Sequence, residues 1–171
     1  MKNDKLIKIV LAAIFAALSC VATMTISIPM PATNGYINLG DGAVLLGAFL
    51  LGPVYGAAAG GLGSMLADGI LGYAVYAPGT LIIKGLMALC AALVLRAMKN
   101  KPLAGTIAGG LVGELMMVLG YFAYESTLLG YGLAAAASIP GNAIQGAAGL
   151  IASAVVYQAL RTVPSVKRLA D

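Results

Sequence analysis

The dominant pattern along this chain is a series of long apolar stretches separated by short polar connections. Four of these stretches, at positions 9–28, 81–96, 103–122 and 139–160, each approach the ~20 residues needed to cross the hydrocarbon core of a bilayer. Because the stretches run from one end of the chain to the other, a soluble domain with one anchor does not fit. The pattern predicts membrane-spanning helices at these four places.

The stretch 38–71 is ambiguous, because it could form one kinked span or two short helices. Its centre, Leu-Gly-Pro-Val-Tyr-Gly at 51–56, is rich in turn-forming residues. Two helices here give six spans and place nine cations on one side: Lys2, Lys5, Lys8, Arg96, Lys99, Lys101, Arg161, Lys167 and Arg168. One helix would instead put the basic segments 96–101 and 161–168 opposite the N-terminus. Short loops rich in Lys and Arg stay in the cytoplasm, so we expect six spans.

The predicted fold class is therefore an all-α membrane protein, a bundle of six transmembrane helices with cytoplasmic N- and C-termini. We expect a single domain over 1–171, with helices at about 6–28, 39–52, 54–71, 79–97, 103–122 and 138–160. The basic start followed by Ala17-Leu18-Ser19-Cys20 also resembles a lipoprotein signal peptide. The apolar run continues to residue 28, beyond the usual core of ~7 to 15 residues, which favours a retained helix.

The composition supports this assignment and argues against several classes of function. The chain is 61% hydrophobic and 9% charged, whereas about a quarter of the residues in soluble domains are charged. Histidine is absent and both cysteines lie in apolar runs, so we expect no metal, no cofactor and no triad chemistry. The net charge of +4 comes from basic residues beside apolar segments, so we expect no nucleic-acid partner.

Small residues recur every four positions in several helices. The rows are Gly56, Gly60 and Ser64, then Gly105, Gly109 and Gly113, and finally the overlapping pairs Ala12, Ala13, Ala16 and Ala17. Such rows let helix backbones approach closely, so we expect the glycine rows to pack inside the bundle. The alanine pairs could do the same, or could present a flat face of the first helix to another protein.

Polar residues at membrane level gather in the outer half of the predicted bundle. A charge left uncompensated in hydrocarbon costs at least ~2.5 to 3.5 kcal/mol, so these residues should face a partner, water or a ligand. We take them, with the outer tyrosines, as candidate substrate-binding residues: Asn38, Asp41, Asp68, Tyr73, Tyr76, Lys84, Glu114, Tyr121, Glu125, Asn142 and Gln145.

Several of these residues have structural alternatives. Lys84 and Asp68 could form a mutual ion pair or frame the ligand together, and Asp41 could cap its helix. The tyrosines could form an interfacial belt. Glu114 has the strongest functional claim, because it lies deepest and has no cation nearby in sequence. Four carboxylates against one lysine favour a ligand bearing a ring N–H, an amine or hydroxyls, and the outer segments 29–40 and 124–138 suit a lid.

Seven runs of this sequence carry a resemblance to a known family. They are Ala-Ala-Ile-Phe-Ala-Ala at 12–17, Asn-Leu-Gly-Asp at 38–41, Leu-Gly-Pro at 51–53, Gly-Gly-Leu-Gly-Ser at 60–64, Ala-Asp at 67–68, Gly-Tyr at 72–73 and Ala-Pro-Gly-Thr-Leu-Ile-Ile-Lys-Gly at 77–85. In these runs, and over nearly its full length, the chain resembles the S components of energy-coupling factor (ECF) transporters. These are the substrate-binding subunits of bacterial vitamin importers. The chain looks most similar to the riboflavin-type branch.

The resemblance implies a multi-pass protein of the bacterial cytoplasmic membrane that is not an enzyme. Its first-helix alanines, Ala12, Ala13, Ala16 and Ala17, would contact a transmembrane coupling subunit, and two ATPase subunits would supply the energy. The family binds vitamins near the outer face, and the bundle is thought to topple to carry them inward. Members of the branch bind riboflavin, pyridoxine, hydroxymethylpyrimidine or cobalamin precursors. Tryptophan, a usual stacking platform for larger rings, is absent, which favours a pyridoxine-like or hydroxymethylpyrimidine-like ligand.

Two other classes of protein remain as alternatives. An intramembrane enzyme could use Asp41, Asp68 or Glu114 for metal or acid/base chemistry, but paired aspartates at helical spacing and an intramembrane histidine are both absent. A purely structural membrane protein would leave the cluster of outer carboxylates unexplained.

Overall fold

The computed structural model describes the backbone of residues 2–164 and the side chains of residues 5–164. Lys167, Arg168 and the side chain of Lys2, which the sequence assigns to the cytoplasmic side, lie outside the described residues. The elements are α1 (Lys2–Thr25), β1 (Ser27–Met30), β2 (Gly35–Asn38), α2 (Gly40–Leu51), α3 (Pro53–Leu71), α4 (Ala77–Ala97), α5 (Pro102–Ala123) and α6 (Ile139–Leu160). A π-helical turn (Tyr124–Leu128) and a 3₁₀ segment (Gly132–Ser138) connect α5 to α6. The predicted six-helix membrane fold is confirmed.

The ambiguous stretch 38–71 forms two helices. Gly52 separates α2 from α3 with φ +80, in the left-handed region that favours glycine, and Pro53 opens α3. Within the described part of the chain, five helices are long and apolar enough to cross a membrane, whereas α2 has 12 residues. At ~1.5 Å per residue α2 rises only ~18 Å, which is less than the ~30 Å hydrocarbon core.

The first helix ends earlier than the sequence predicts, at Thr25 rather than at residue 28. The chain then forms an antiparallel hairpin in which Ser27 pairs with Asn38 and Met30 with Gly35. Pro29 cannot donate a backbone hydrogen bond to a helix, and the turn contains Asn34 at φ 52 just before Gly35. We call the end of the bundle covered by this hairpin the hairpin end.

The described cations other than Lys84 lie at the opposite end, which we call the basic end. α1 runs antiparallel to α2, with Thr23 beside Gly40 and Phe15 beside Gly47. The start of α1, the α4–α5 connection and the C-terminus of α6 therefore share one end, and they carry Lys5, Lys8, Arg96, Lys99, Lys101 and Arg161. The positive-inside rule predicts that this end faces the cytoplasm.

An apolar layer occupies the middle of the bundle between these two ends. Its side chains come from α2, α4 and α5 and are at most 1 % exposed: Val44, Leu45, Met87, Ala88 and Met117. Large apolar side chains also cover the outer surface, where Val54, Ile82 and Val155 are each more than 60 % exposed. Such a surface suits lipid rather than water.

The glycine rows pack against neighbouring helices, as the sequence predicts. A Cβ on Gly60 would lie 2.7 Å from Cγ1 of Val44 in α2, and one on Gly109 would lie 2.6 Å from the Ala91 carbonyl oxygen in α4. Gly63 approaches the Ala16 carbonyl of α1 even more closely. Because glycine has no side chain, these positions allow the helix backbones to approach closely.

A buried ion pair lies next to the apolar layer, on its side toward the hairpin end. The Lys84 ammonium contacts Asp41 Oδ1, and Gln145 Nε2 donates to Asp41 Oδ2 at 2.7 Å. Lys84 is 2 % exposed and Asp41 is fully buried. The contacts join α2, α4 and α6.

This pairing corrects two expectations. Lys84 pairs with Asp41 instead of Asp68, because α2 packs directly on α4 and points its first turn at Lys84. Asp41 does not cap α2 either, since its carboxylate oxygens are engaged by Lys84 and Gln145.

The close approach of Gly63 to α1 is testable with a matched pair of variants in the same helix. Gly63→Ala should lower the thermal midpoint of the purified protein in detergent, because overpacking of this kind costs about 1 to 3 kcal/mol. Gly69→Ala is the control, because a Cβ there meets nothing within 4 Å. The close packing of α1 on α3 would be contradicted if both variants unfolded at the same temperature.

The ion pair is testable by removing one partner and then both. Lys84→Met should cost about 3 to 5 kcal/mol, because it leaves the Asp41 charge buried without its cation. The double variant Asp41→Asn, Lys84→Met should recover much of that loss, which denaturant or thermal unfolding in detergent will show. A double variant no more stable than the single one would argue against this pairing.

Candidate substrate-binding site

A cavity lies at the hairpin end, enclosed by the hairpin and by every helix except α2. Its lining comprises Thr23, Met30, Gly35, Tyr36, Asn38, Ser64, Asp68, Tyr76, Thr80, Lys84, Tyr121, Glu125, Asn142 and Gln145. The volume of this cavity is about 20 Å³, enough for about one water molecule. Polar and aromatic side chains from distant parts of the chain thus converge on one small cavity.

Glu125 and Tyr76 fasten the outer segments over this cavity. The Tyr76 hydroxyl lies 2.6 Å from the Thr33 carbonyl oxygen of the hairpin and 3.1 Å from Glu125 Oε1. Ser138 donates to Glu125 Oε2 at 2.5 Å, which ties the start of α6 to the turn after α5. Burial raises the pKa of the Tyr76 phenol, and the neighbouring Glu125 carboxylate raises it further. Tyr76 therefore remains a hydrogen-bond donor.

Asp68 forms the second polar centre of the cavity. The Tyr36 hydroxyl donates to Asp68 Oδ1 at 2.5 Å, and the Tyr36 ring packs on that of Tyr73 with centroids 4.4 Å apart. Burial raises the pKa of the Tyr36 phenol, and the hydrogen bond to Asp68 adds to the shift. The Thr80 hydroxyl lies close to Asp68 and also pairs with the Tyr121 hydroxyl at 2.9 Å.

Three buried polar atoms around the cavity have no hydrogen-bond partner among the described residues. They are Thr23 Oγ1, Ser64 Oγ and Asp68 Oδ2. Buried polar atoms are normally paired, so a group of unpaired ones on one cavity marks a place where polar atoms of a ligand or water fit. Two of them are hydroxyls and the third is a carboxylate oxygen, which accepts but does not donate.

The structure brings most of the predicted site residues to this cavity. Those that line it are Asn38, Asp68, Tyr76, Lys84, Tyr121, Glu125, Asn142 and Gln145. Asp41 lies behind Lys84, and Tyr73 lies behind Tyr36. The role of each residue in binding stays a prediction.

Glu114, the residue with the strongest claim from sequence, does not line the cavity. Its carboxylate packs against α6, where Cβ atoms on Gly146 and Gly149 would lie 2.8 and 2.9 Å from its two oxygens. Neither oxygen accepts a hydrogen bond from the described residues. Asp41 and Lys84 are its charged neighbours. The depth of Glu114 follows from sequence, but its direction depends on how α5 is rotated.

Sequence reasoning missed the remaining lining residues, which are Thr23, Met30, Gly35, Tyr36, Ser64 and Thr80. Tyr36 shares the outer level of the other candidate tyrosines and could have been included on that ground. Ser64 belongs to a row of small residues that predicts helix packing, so its hydroxyl was not taken as a binding group. Met30 and Gly35 reach the cavity only because the chain forms the hairpin.

The alanine pairs of α1 divide between two faces. Ala13 and Ala17 are exposed, whereas Ala12 and Ala16 are partly buried toward the neighbouring helices. Only 11 % of the residues in the most apolar stretch of α1 are buried, against 28 to 50 % in the other long helices. The face with Ala13 and Ala17 therefore lies on the most exposed of the long described helices.

Within residues 5–164, no three Asp, Glu or Cys side chains group closely enough to hold a metal ion.

Comparisons with known proteins give a family, a relative and a shared fold. The sequence profile of the family described as "ECF-type riboflavin transporter, S component" matches residues 3–162. A protein from Pyrococcus woesei, described as an uncharacterized protein in the gap 3' region, is 41% identical over 133 residues, covering 77% of this chain and 86% of that protein.

A solved structure shares the fold. It is described as the S component of a bacterial ECF transporter and superposes with a TM-score of 0.67 over 95% of this chain and 98% of that chain, at 22% identity. Because the family profile spans nearly the whole sequence, this chain belongs to the family of S components of ECF-type transporters.

Proposed function

We propose that this chain is the substrate-binding subunit of an ECF-type importer, which captures a small water-soluble ring vitamin or its precursor at the hairpin end. Pyridoxine and hydroxymethylpyrimidine represent the ligand class. The proposal rests mainly on the small cavity at the hairpin end, which carries an unpaired carboxylate oxygen, Asp68 Oδ2, and two unpaired hydroxyls. The protein would lie in the cytoplasmic membrane with the hairpin end outside.

The charges around the cavity support a neutral or cationic ligand with several donors. Lys84 is already neutralised by Asp41, and Glu125 is already engaged by Ser138 and Tyr76. Asp68 keeps one oxygen without a donor. Hydroxyl or ring N–H groups suit this oxygen, whereas a phosphate or carboxylate on the ligand would meet two carboxylates of like charge.

The size of the cavity supports a small ligand and requires an opening motion. At about 20 Å³ the cavity is far below the ~300 Å³ at which ordinary ligand sites begin. The hairpin is held at its tip by the contact of Tyr76 with Thr33 and by an exposed hydrogen bond from Asn34 to Tyr131 at 3.2 Å. The hairpin also donates hydrogen bonds from Tyr36 to Asp68 at 2.5 Å and from the Asn38 backbone N–H to Gln145 at 2.6 Å. We take the hairpin as the moving part, and these four contacts would need to break for it to open.

Riboflavin is the second candidate ligand. The description of the matching family names it, and Tyr36, Tyr76 and Tyr121 all line the cavity and offer aromatic faces for stacking. A three-ring ligand demands a wider opening than a single ring does.

Delivery would depend on partners that bind the bundle from the side. The exposed face of α1 with Ala13 and Ala17 is suited to a transmembrane coupling subunit, since small residues allow close helix contact. Two ATPase subunits on the cytoplasmic side would supply the energy.

The ligand class is testable by thermal unfolding of purified protein against a panel of pyridoxine, hydroxymethylpyrimidine, riboflavin and a cobalamin precursor. We expect one single-ring compound to raise the midpoint with saturation, because bound ligand stabilises by RT ln(1 + [L]/Kd). Riboflavin as the sole stabilising compound would favour the second candidate. A flat response in correctly folded protein would contradict substrate capture.

For the ligand identified in this panel, Asp68→Asn should weaken binding at least about tenfold. The amide can present an N–H donor at the position where the ligand needs an acceptor oxygen. Glu114→Gln is the matched control, since it also replaces a buried carboxyl group with an amide but at a position outside the cavity lining. Its affinity should stay within about threefold of the native value by isothermal titration. Equal losses in both variants would remove Asp68 from its proposed role.

Partner docking is testable by adding bulk to the exposed alanine face. Ala13→Trp should prevent co-purification with the coupling module while leaving ligand affinity unchanged, because the ring would hold the partner helix away. Ala104→Trp, at an exposed position of α5, is the control and should assemble normally. Normal transport by the Ala13 variant would contradict the docking face.

A further inference from the structure

A second, larger cavity opens at the basic end of the bundle. Its volume is about 640 Å³, within the ~300 to 1,000 Å³ of ordinary ligand sites. It lies where the ends of α2, α4 and α6 meet the start of α5, and it is lined by Ala48, Phe49, Gly52, Ala92, Leu95, Arg96, Lys99, Pro102, Tyr157 and Arg161. The site at the hairpin end makes no use of these residues.

The inner wall of this cavity is apolar and aromatic. Ala48, Phe49 and Ala92 are at most 2 % exposed, and Leu95 is 8 % exposed. The rings of Phe49 and Tyr157 lie 5.4 Å apart, so together they form one aromatic surface. A wall of this kind accepts hydrocarbon rather than a hydrated ion.

The mouth of the cavity is cationic. Arg96, Lys99 and Arg161 line it, and none of the described lining residues carries a negative charge. The Arg96 guanidinium packs over Gly52, where a Cβ would lie 3.2 Å from Arg96 Cζ, and Arg161 Nη1 donates to Gln158 Oε1 at 3.2 Å. Two of the three cations are thus positioned by contacts on different helices.

We infer that this cavity binds an anionic phospholipid, with its phosphate on Arg96, Lys99 and Arg161 and part of an acyl chain against the apolar wall. Guanidinium groups bind phosphate with directed hydrogen bonds, and basic pockets between transmembrane helices on the cytoplasmic side suit anionic head groups. A soluble phosphate would use only the mouth of the cavity. The apolar wall behind the cations is therefore the feature that selects an amphiphile.

The experiment measures lipid binding to delipidated protein in neutral detergent, by native mass spectrometry and thermal unfolding. Phosphatidylglycerol should bind with one retained molecule per protein and raise the midpoint, whereas phosphatidylcholine with the same acyl chains should do neither. Inorganic phosphate and glycerol 3-phosphate at equal concentration should have little effect. No vitamin is present, so the outcome is independent of the proposed substrate.

Variants separate this site from the general charge of the basic end. Arg96→Gln, Lys99→Gln, Arg161→Gln should weaken phosphatidylglycerol binding at least about tenfold. Lys5→Gln, Lys8→Gln, Lys101→Gln removes the same charge from the same end outside the cavity lining and should leave binding nearly unchanged. Ala92→Leu, which fills the apolar wall and keeps all charges, should also weaken binding.

Four results would overturn the inference. Equal binding of phosphatidylcholine would show that the head-group charge is irrelevant. Equal stabilisation by inorganic phosphate, unaffected by Ala92→Leu, would show a soluble-anion site instead. Equal loss in the two triple variants would show only surface attraction. Failure of phosphatidylglycerol to bind the native protein would leave this cavity to another occupant, such as an acidic segment of a partner.

Discussion

The buried contact between Asp41 and Lys84 constrains the arrangement of the whole bundle. Neither charge can be moved into lipid without its partner, since removing one member of a buried pair leaves an uncompensated charge. Asp41 also accepts from Gln145, so α2, α4 and α6 are held in one register. Lys84 and Gln145 in turn form part of the cavity lining. The same contact therefore holds the short α2 in place and builds the floor of the candidate site.

The features that sequence predicts well are those set by local composition. Span positions and the basic end follow from the length of apolar runs and the placement of Lys and Arg, both of which act through the bilayer rather than through tertiary contacts. The break between α2 and α3 follows from Gly52 and Pro53, whose backbone preferences are intrinsic. The sequence also predicts that polar residues gather at one level of the bundle, because the depth of a residue depends only on its position along a helix.

The features that sequence did not predict depend on rotation and on neighbours. Asp41 and Asp68 lie at similar depth along their helices. Lys84 pairs with Asp41 because α2 packs directly on α4. Glu114 has the predicted depth, but it faces the glycines of α6. The hairpin did leave a signal, the Asn-Gly pair at 34–35 between short apolar runs, which is typical of a tight turn between strands. The long apolar run before it concealed that signal.

The apolar layer at mid-depth has a consequence for permeation. Leu45, Met87 and Met117 are fully buried between the cavity at the hairpin end and the cavity at the basic end, and interiors of this kind are packed too densely for water to pass. Within residues 5–164 the two cavities are thus separated by a dry seal, and this conformation is not a channel. A densely packed apolar layer of this kind blocks the passage of protons and ions, also when a solute occupies the cavity at the hairpin end. A solute can reach the other side only when the protein itself changes its position or its packing in the membrane.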